Sequence, residues 1–268
     1  MDIINSLQSK AIIGMVHVKA LPGTPRHQAP ISEIIFDACA EAKLYQDYGL
    51  DAIILENMHD LPYLNRRVGE EITATMTAVA FAVRQVFTRP IGIQILAGAN
   101  RAALAAANAA RLDFIRAEGF VFGHLADEGY MDSDAGELLR YRKLIGAERI
   151  RIFTDIRKKH SSHAITGDLS LSEIAKAAEF FSADGMIITG SSTGTEAAVD
   201  DLVETRGATG LPILIGSGIT AENIEKYWHL ADGFIIGSHF KEQGNWANNI
   251  STQRLEDFVG KVKKLRNS

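Results

Sequence analysis

The side chains that acid–base and carbonyl chemistry use recur at similar places in this chain. His17, Glu56, Glu118 and Asp155 each stand at or next to the end of a short apolar run, and Lys159 follows Asp155 by four residues. A positioned carboxylate or imidazole can take or give a proton when its pKa is tuned. A lysine can hold negative charge or, once neutral, attack a carbonyl. Arg116 precedes Glu118 by two residues, so on an extended strand the two share a face. A bare charge against an apolar layer is costly. That face is therefore expected at an interior mouth, where Glu56, Asp155 and His17 can converge. The structural alternative is an ion pair of Arg116 with Glu118 or Glu56 that only fills the interior.

A second group of residues suits an anion. Gly216-Ser217-Gly218 precedes a helix start near Thr220, and Gly237-Ser238 closes a later apolar run. Glycines let a backbone approach closely, so successive amides can surround a phosphate beside a helix N-terminus. Tight turns alone are the other reading of these glycines. Thr193, within Thr189-Gly190-Ser191-Ser192-Thr193-Gly194, adds a hydroxyl, and Arg116 adds a cation. His17, Glu56, Glu118, Asp155 and His160 are eligible ligands for a divalent metal. No His-Glu-x-x-His or cysteine pair supports one, and the sequence requires no cofactor. Cys39 reads as a small apolar residue of a helix, and His27, His163 and His229 as surface or packing residues.

Eight apolar runs must position these groups: 11–18, 52–56, 91–96, 114–118, 151–156, 185–189, 212–216 and 233–237. Near-continuous apolar character marks parallel strands buried on both faces. Between them lie amphipathic segments with helix starts at Ser32, at Ser170 or Ser172, and at Thr220. Gly49 stops the first of these, and 101–111 is alanine-rich and helix-forming. Alternating strand and helix gives a parallel sheet, and eight units predict a single-domain (β/α)8 TIM barrel over 1–268, function sitting at the C-terminal strand ends. A doubly wound open sheet is the alternative, but no Gly-x-Gly-x-x-Gly follows the first run. Within 1–10, residues 2–9 are expected to form a short helix closing the barrel floor.

Composition narrows the partners. Lys plus Arg number 28 against 33 Asp plus Glu, a net charge of −5, which argues against nucleic acid. No run approaches the roughly 18 apolar residues of a membrane span, and the start lacks a signal-peptide pattern. The single Cys39 fits a reducing compartment. A cytoplasmic protein is expected, and a homo-oligomer is plausible for a barrel.

Several motifs together resemble the BtpA/SgcQ family of TIM-barrel proteins over nearly the whole chain. They are Gly14-Met15-Val16-His17 with Leu21-Pro22-Gly23 and Pro25-Arg26, and Glu56-Asn57 with Asp60, Pro62 and Tyr63. Asp127-Glu128-Gly129 precedes Glu137-Leu138-Leu139-Arg140-Tyr141-Arg142, and Asp155 with Lys159 and His160 matches an Asp-x-x-x-Lys-His pattern. Gly190, Thr193-Gly194, Gly216-Ser217-Gly218, Asn223, Asp232-Gly233 and Lys241 complete the match. The resemblance adds Asn57 and Lys241 to the candidate phosphate ligands. The family's Asn-x-Val-Asp is Asn248-Asn249-Ile250-Ser251 here, so a carboxylate is missing, although Ser251 can cap the final helix. For some members the resemblance implies a role in photosystem I biogenesis.

Two readings follow. The first is an enzyme acting on a small phosphorylated, sugar- or nucleotide-like substrate, with phosphate on 216–218 and 237–238. Asp155 or Glu118 would be the general acid or base, and His17 a proton shuttle. Isomerisation, aldol-type cleavage and glycosidic cleavage all suit these residues. The second is a non-catalytic assembly factor working through its outer surface. Lys159, flanked by Arg157, Lys158, His160 and the polar Ser161-Ser162-His163, is expected in a solvated loop. Solvent would keep it charged, as an electrostatic clamp on an anion and not a Schiff-base lysine.

Overall fold

In the computed structural model, which describes residues 3–190 and 194–267, eight parallel strands close into a barrel. They are Ala11–His17, Ala52–Glu56, Ile91–Gln94, Phe114–Ala117, Arg151–Asp155, Gly185–Thr189, Ile213–Gly216 and Gly233–Ile236. Each pairs with its neighbours in sequence, and the first closes on the eighth from Ala11↔Gly233 to Gly14↔Ile236. The chain is an α/β protein of the (β/α)8 TIM-barrel class. Several strands end a residue or two before their apolar runs do, because the last residues turn out of the ladder into the mouth loops.

The helices are α1 (Ile3–Leu7), α2 (Ile31–Tyr48), α3 (Glu70–Val86), α4 (Asn100–Ala109), α5 (Ala135–Leu144), α6 (Leu171–Phe180), α7 (Val199–Ala208), α8 (Ile224–Tyr227) and α9 (Thr252–Arg266). Ser170 opens α6 with a reciprocal capping box: its hydroxyl accepts from the Glu173 amide, and Glu173 accepts from the Ser170 amide. Ser251 caps α9 by accepting from the Arg254 amide. Gly49 ends α2 in the left-handed conformation, at φ 81°. Ser32 is not a cap. Helix α2 begins at Ile31 behind Pro30, so Ser32 lies inside its first turn.

Strand alternation sorts the interior into layers. Ile13, Met15, Ile54, Phe114, Phe153, Ile187, Leu214 and Ile235 form an apolar cluster with Ile3 and Leu7 of α1, distinct from the larger core between strands and helices. Two residues further along the same strands come His17, Glu56, Arg116, Asp155 and Thr189. An apolar floor, plugged by α1, thus carries a polar layer at the C-terminal end. The floor leaves little room. A Cβ on Gly92 would stand 2.2 Å from the Phe114 ring, and one on Gly185 2.5 Å from the Phe153 ring. Those two rings meet edge-on with centroids 5.5 Å apart.

One feature has no counterpart in the apolar pattern. His124–Ala126, Gly129–Met131 and Ser161–Ser162 form a small antiparallel sheet. Strands of two or three residues carry too few positions to show alternation. This sheet ties the loop after the fourth barrel strand to the loop after the fifth, through Leu125↔Ser162 and Ala126↔Ser161. Arg66 fastens further loops, donating to the carbonyls of Gly98, Gly119 and Asp132 and pairing with Asp134.

Gly92→Ala should destabilise the protein by about 1–3 kcal/mol, the usual cost of overpacking a filled core. Chemical denaturation measures it, and adding Phe114→Leu should recover part of the loss. A fully stable Gly92→Ala protein would mean that the ring does not fill this space.

Candidate functional site

The polar layer is organised by one ion pair. Arg116 donates from Nε and Nη2 to Asp155 Oδ2 and Oδ1, each at 2.9 Å, and both residues are buried. Neither sequence-based partner of Arg116, Glu118 or Glu56, takes this role. Burial works against the guanidinium charge, but Asp155, with Glu56 and Glu118, outweighs it and holds the Arg116 pKa above its ordinary value. Asp155 has both oxygens committed. It points inward, as the sequence requires, yet it does not line the main cavity.

Glu118 also sits beside the cavity and not on its wall. Its Oε1 accepts from Gln94 Nε2 at 3.0 Å, while Oε2 has Lys158 Nζ 3.7 Å away and no hydrogen bond. Burial pushes the Glu118 pKa up to about 7, Lys158 opposing and Asp155 reinforcing. Lys158 in turn lies 3.2 Å from Glu128.

A cavity of about 160 Å³ opens at the C-terminal mouth, lined by His17, Glu56, Arg116 and Lys159. Ser217, Gly218, Gly237, Ser238, His239 and Arg254 line it too. Burial raises the Glu56 pKa, and Lys159 and Arg116 pull it back. Its Oε2 lies 3.7 Å from His17 Nε2. His17 Nδ1 is 3.0 Å from the Trp246 carbonyl, which can only accept, so Nδ1 carries the proton and Nε2 presents a lone pair. Burial first, then Lys241, pushes the His17 pKa down to about 3, leaving the ring neutral at pH 7.

Lys159 departs from the sequence expectation. The segment after it pairs into the small sheet, and its Nζ reaches Ser217 Oγ at 3.4 Å inside the cavity. No carboxylate among the described residues lies within 4.0 Å of it. Burial, then the Arg116 charge, lowers its pKa. The cation that faces Lys159, Arg116, comes from another strand and not from its neighbours along the chain.

The loop after the seventh strand has two successive left-handed residues, Ser217 at φ 64° and Gly218 at φ 65°. Such a turn aims neighbouring amides into one concavity. The amides of Ser217, Gly218 and Ser238 donate to no group among the described residues. Gly218 could carry no side chain, since a Cβ would stand 2.6 Å from the Thr195 backbone. Gly237 lets the eighth strand pass His17, whose Cε1 and Nε2 would be 3.3 Å from a Cβ there. Gly216 lies beneath this loop, on the strand itself.

Two candidate phosphate ligands are engaged elsewhere. Asn57 donates to Asp60 Oδ2 at 2.7 Å and accepts from the Leu96 amide at 2.7 Å, bracing the second loop. Lys241 is 1% exposed and pairs with Glu41 of α2. Thr193 lies outside the described residues. Among the described residues, no three of His, Cys, Asp and Glu sit close enough to hold a metal ion.

Sequence reasoning missed Arg254, whose side chain enters the cavity from the first turn of α9 and donates from Nε to the His239 carbonyl at 2.6 Å. A signal existed: a cation in a helix's first turn opposes the macrodipole and needs another reason to be there. Trp246 was missed too. Its ring stands edge-on to His17, with centroids 6.1 Å apart, and packs on His59 at 4.9 Å.

Fold and mouth together define a TIM-barrel protein with a polar cavity at its C-terminal face. The chain belongs to the BtpA family, whose model matches residues 8–264. It is 46% identical over 262 residues to an uncharacterized protein of Caenorhabditis elegans described as mitochondrial, covering 95% of this chain and 94% of that one. It is 31% identical to the photosystem I biogenesis protein BtpA of Synechocystis, covering 97% and 90%. Among solved structures, a Pyrococcus furiosus thiamine phosphate pyrophosphorylase superposes with a TM-score of 0.59 at 13% identity, covering 97% and 98%. A Thermus thermophilus phosphoribosyl anthranilate isomerase gives 0.56 at 14%, covering 95% and 99%. These last two likenesses establish the fold. No helix among the described residues is long and apolar enough to cross a membrane.

The Glu118 environment has a pH signature. Folded Glu118 keeps its proton up to about pH 7, above the ordinary value of 4.5. Its stabilising contribution is therefore full below the unfolded pKa and lost as pH rises through the folded one. Glu118→Gln cannot lose that proton. The difference in Tm, variant minus wild type, should grow more positive by a few degrees from about pH 5 to about pH 8.5. A pH-independent difference would contradict the shift.

Proposed function

We propose that this protein is an enzyme acting on a small phosphorylated, sugar- or nucleotide-like substrate by acid–base chemistry at the barrel mouth. The observation that carries this reading is the sharing of one cavity by two sets of groups. One is the anion-suited set of Ser217, Gly218, Gly237, Ser238 and Arg254; the other is the proton-handling set of Glu56, His17 and Lys159. Loops after the seventh and eighth strands are the usual phosphate position of TIM barrels.

Within this reading the roles shift from the sequence assignment. Asp155 orients and neutralises Arg116. Glu56, whose carboxylate meets the cavity without a fixed cationic partner, is the general base or acid. His17, neutral and with its Nε2 lone pair free, accepts a hydrogen bond from a substrate hydroxyl. Glu118 is a reserve acid behind the wall. An assembly role like the one named for the Synechocystis relative would not call for a lysine and a carboxylate beside the phosphate loops, and fits less well. We place the protein in the cytoplasm on its single Cys39, noting that the worm relative is described as mitochondrial. Homo-oligomerisation belongs to the same reading, and exposed Phe36, Phe81 and Phe180 on the outer helices favour it.

A thermal-shift screen of phosphorylated metabolites tests the proposal. A ligand at about a hundred times its Kd adds about 2.7 kcal/mol, a Tm rise of roughly 5–10 °C for a chain of this size. Phosphorylated sugars should give it, their unphosphorylated forms should not, and Arg254→Met should weaken it. With the substrate so found, Glu56→Gln should lower kcat by a factor of about 100 or more. Equal shifts from phosphorylated and unphosphorylated compounds would defeat the phosphate assignment.

A further inference from the structure

We infer that Lys159 is a nucleophilic amine that forms a carbon–nitrogen double bond with a ketone or aldehyde carbonyl of the substrate. This rests on the phosphate reading above and names the substrate class more narrowly, as a phosphorylated carbonyl compound.

The cations of the mouth are unevenly paired. Arg116 holds Asp155 at two points, and Lys158 stands between Glu118 and Glu128. Lys159 is left with a hydroxyl, Ser217 Oγ at 3.4 Å, and with no carboxylate among the described residues within 4.0 Å. Its nitrogen therefore faces the cavity with no carboxylate holding it, free to meet a substrate carbonyl. Here the groups facing it are Arg116, which disfavours its charged form, and Glu56, Asp155 and Glu118, which favour it from a distance. Burial adds to the Arg116 effect, and the balance lies below the ordinary lysine value. An amine so disfavoured as a cation carries its lone pair more readily than a solvated lysine does.

Position supports the same conclusion. Because Nζ abuts Ser217 in the phosphate loop, a carbonyl one or two carbons from a phosphate ester would lie next to it. The lysine is also anchored. Ser161 and Ser162, just beyond it, pair with Ala126 and Leu125.

The step balances with the groups present. The Lys159 ammonium gives one proton through an intervening water to the Glu56 carboxylate, and the freed nitrogen pair forms the C–N bond while the C=O π pair moves onto oxygen. Glu56 returns its proton to that oxygen. A second proton then passes from nitrogen through Glu56 to the same oxygen, which leaves as water as the nitrogen pair forms C=N. Ammonium and carbonyl become iminium and water, with no oxidant or reductant. The iminium draws electrons from the adjacent carbon, so a C–H or C–C bond there breaks more readily and Glu56 can take the released proton.

The test is borohydride trapping with dihydroxyacetone phosphate and with glyceraldehyde 3-phosphate, read by intact mass and peptide mapping. Inorganic phosphate binding is followed in parallel by 31P NMR on the wild type and on Lys159→Arg. One adduct per chain at Lys159, reduced by added phosphate and absent from Lys159→Arg, is expected, with the variant's phosphate affinity within about threefold of wild type. Phosphate binding with no Lys159 adduct from either probe would overturn the inference and leave the phosphate reading standing. An adduct at Lys159 without phosphate binding would support the imine and defeat the phosphate reading. Adducts scattered over surface lysines and persisting in Lys159→Arg would also overturn the inference.

Discussion

The buried pair of Arg116 and Asp155 decides what every other charge in the mouth can do. Two ions removed from water cost several kcal/mol each after relaxation, and only good geometry with further hydrogen bonds offsets that. The two-point contact, both bonds at 2.9 Å, supplies such geometry. Breaking a pair of this kind by removing one partner typically costs 3–5 kcal/mol. Once it forms, Asp155 has no oxygen to spare for a substrate. Arg116 still acts on Lys159 and Glu56, behind burial and opposed by Asp155.

The rest of the layer follows from that charge. Lys158 neighbours Glu118 and Glu128 behind the wall, so the carboxylate with open access to the cavity is Glu56. His17 is kept neutral by burial and by nearby cations, and the Trp246 carbonyl fixes which nitrogen carries its proton. The segment that bears Trp246 thereby joins the eighth-strand loop to the first strand. Opposite, the left-handed Ser217 and Gly218 turn their amides out of the ladder, and Arg254 arrives from α9. The proton-handling side and the anion side come from different strands, and the closed barrel brings them to one space.

Much of this was legible in the residues. Eight apolar runs became eight barrel strands because a strand covered on both faces leaves a run and not an alternation. The inward face of Arg116 followed from its two-residue spacing to Glu118 and from the cost of a bare charge against the helix layer, with Glu56 and Asp155 expected to converge there. What could not be read was pairing across the barrel. The sequence offered Arg116 two carboxylates, Glu118 and Glu56, and finding Asp155 instead requires the register Arg116↔Phe153. Lys159 was misread for a related reason: its chain neighbours are polar, but burial is set by the small sheet, whose strands are too short to show a pattern. Asn57 and Lys241 carry the right chemistry for an anion, yet backbone and helix groups engage them. Arg254 stands in the first turn of α9, but which space it enters depends on how that helix packs over the mouth.

The central claim is that one cavity joins an anion cradle to a proton-handling wall. A crystal structure with inorganic phosphate supplied at neutral pH tests this most directly. The account predicts the anion over Ser217–Gly218 and Gly237–Ser238, within hydrogen-bond distance of Arg254, with Glu56 and Lys159 facing the space beside it. Phosphate bound instead along the open groove of Lys19 and Arg26, with the mouth cavity free of it, would contradict the account.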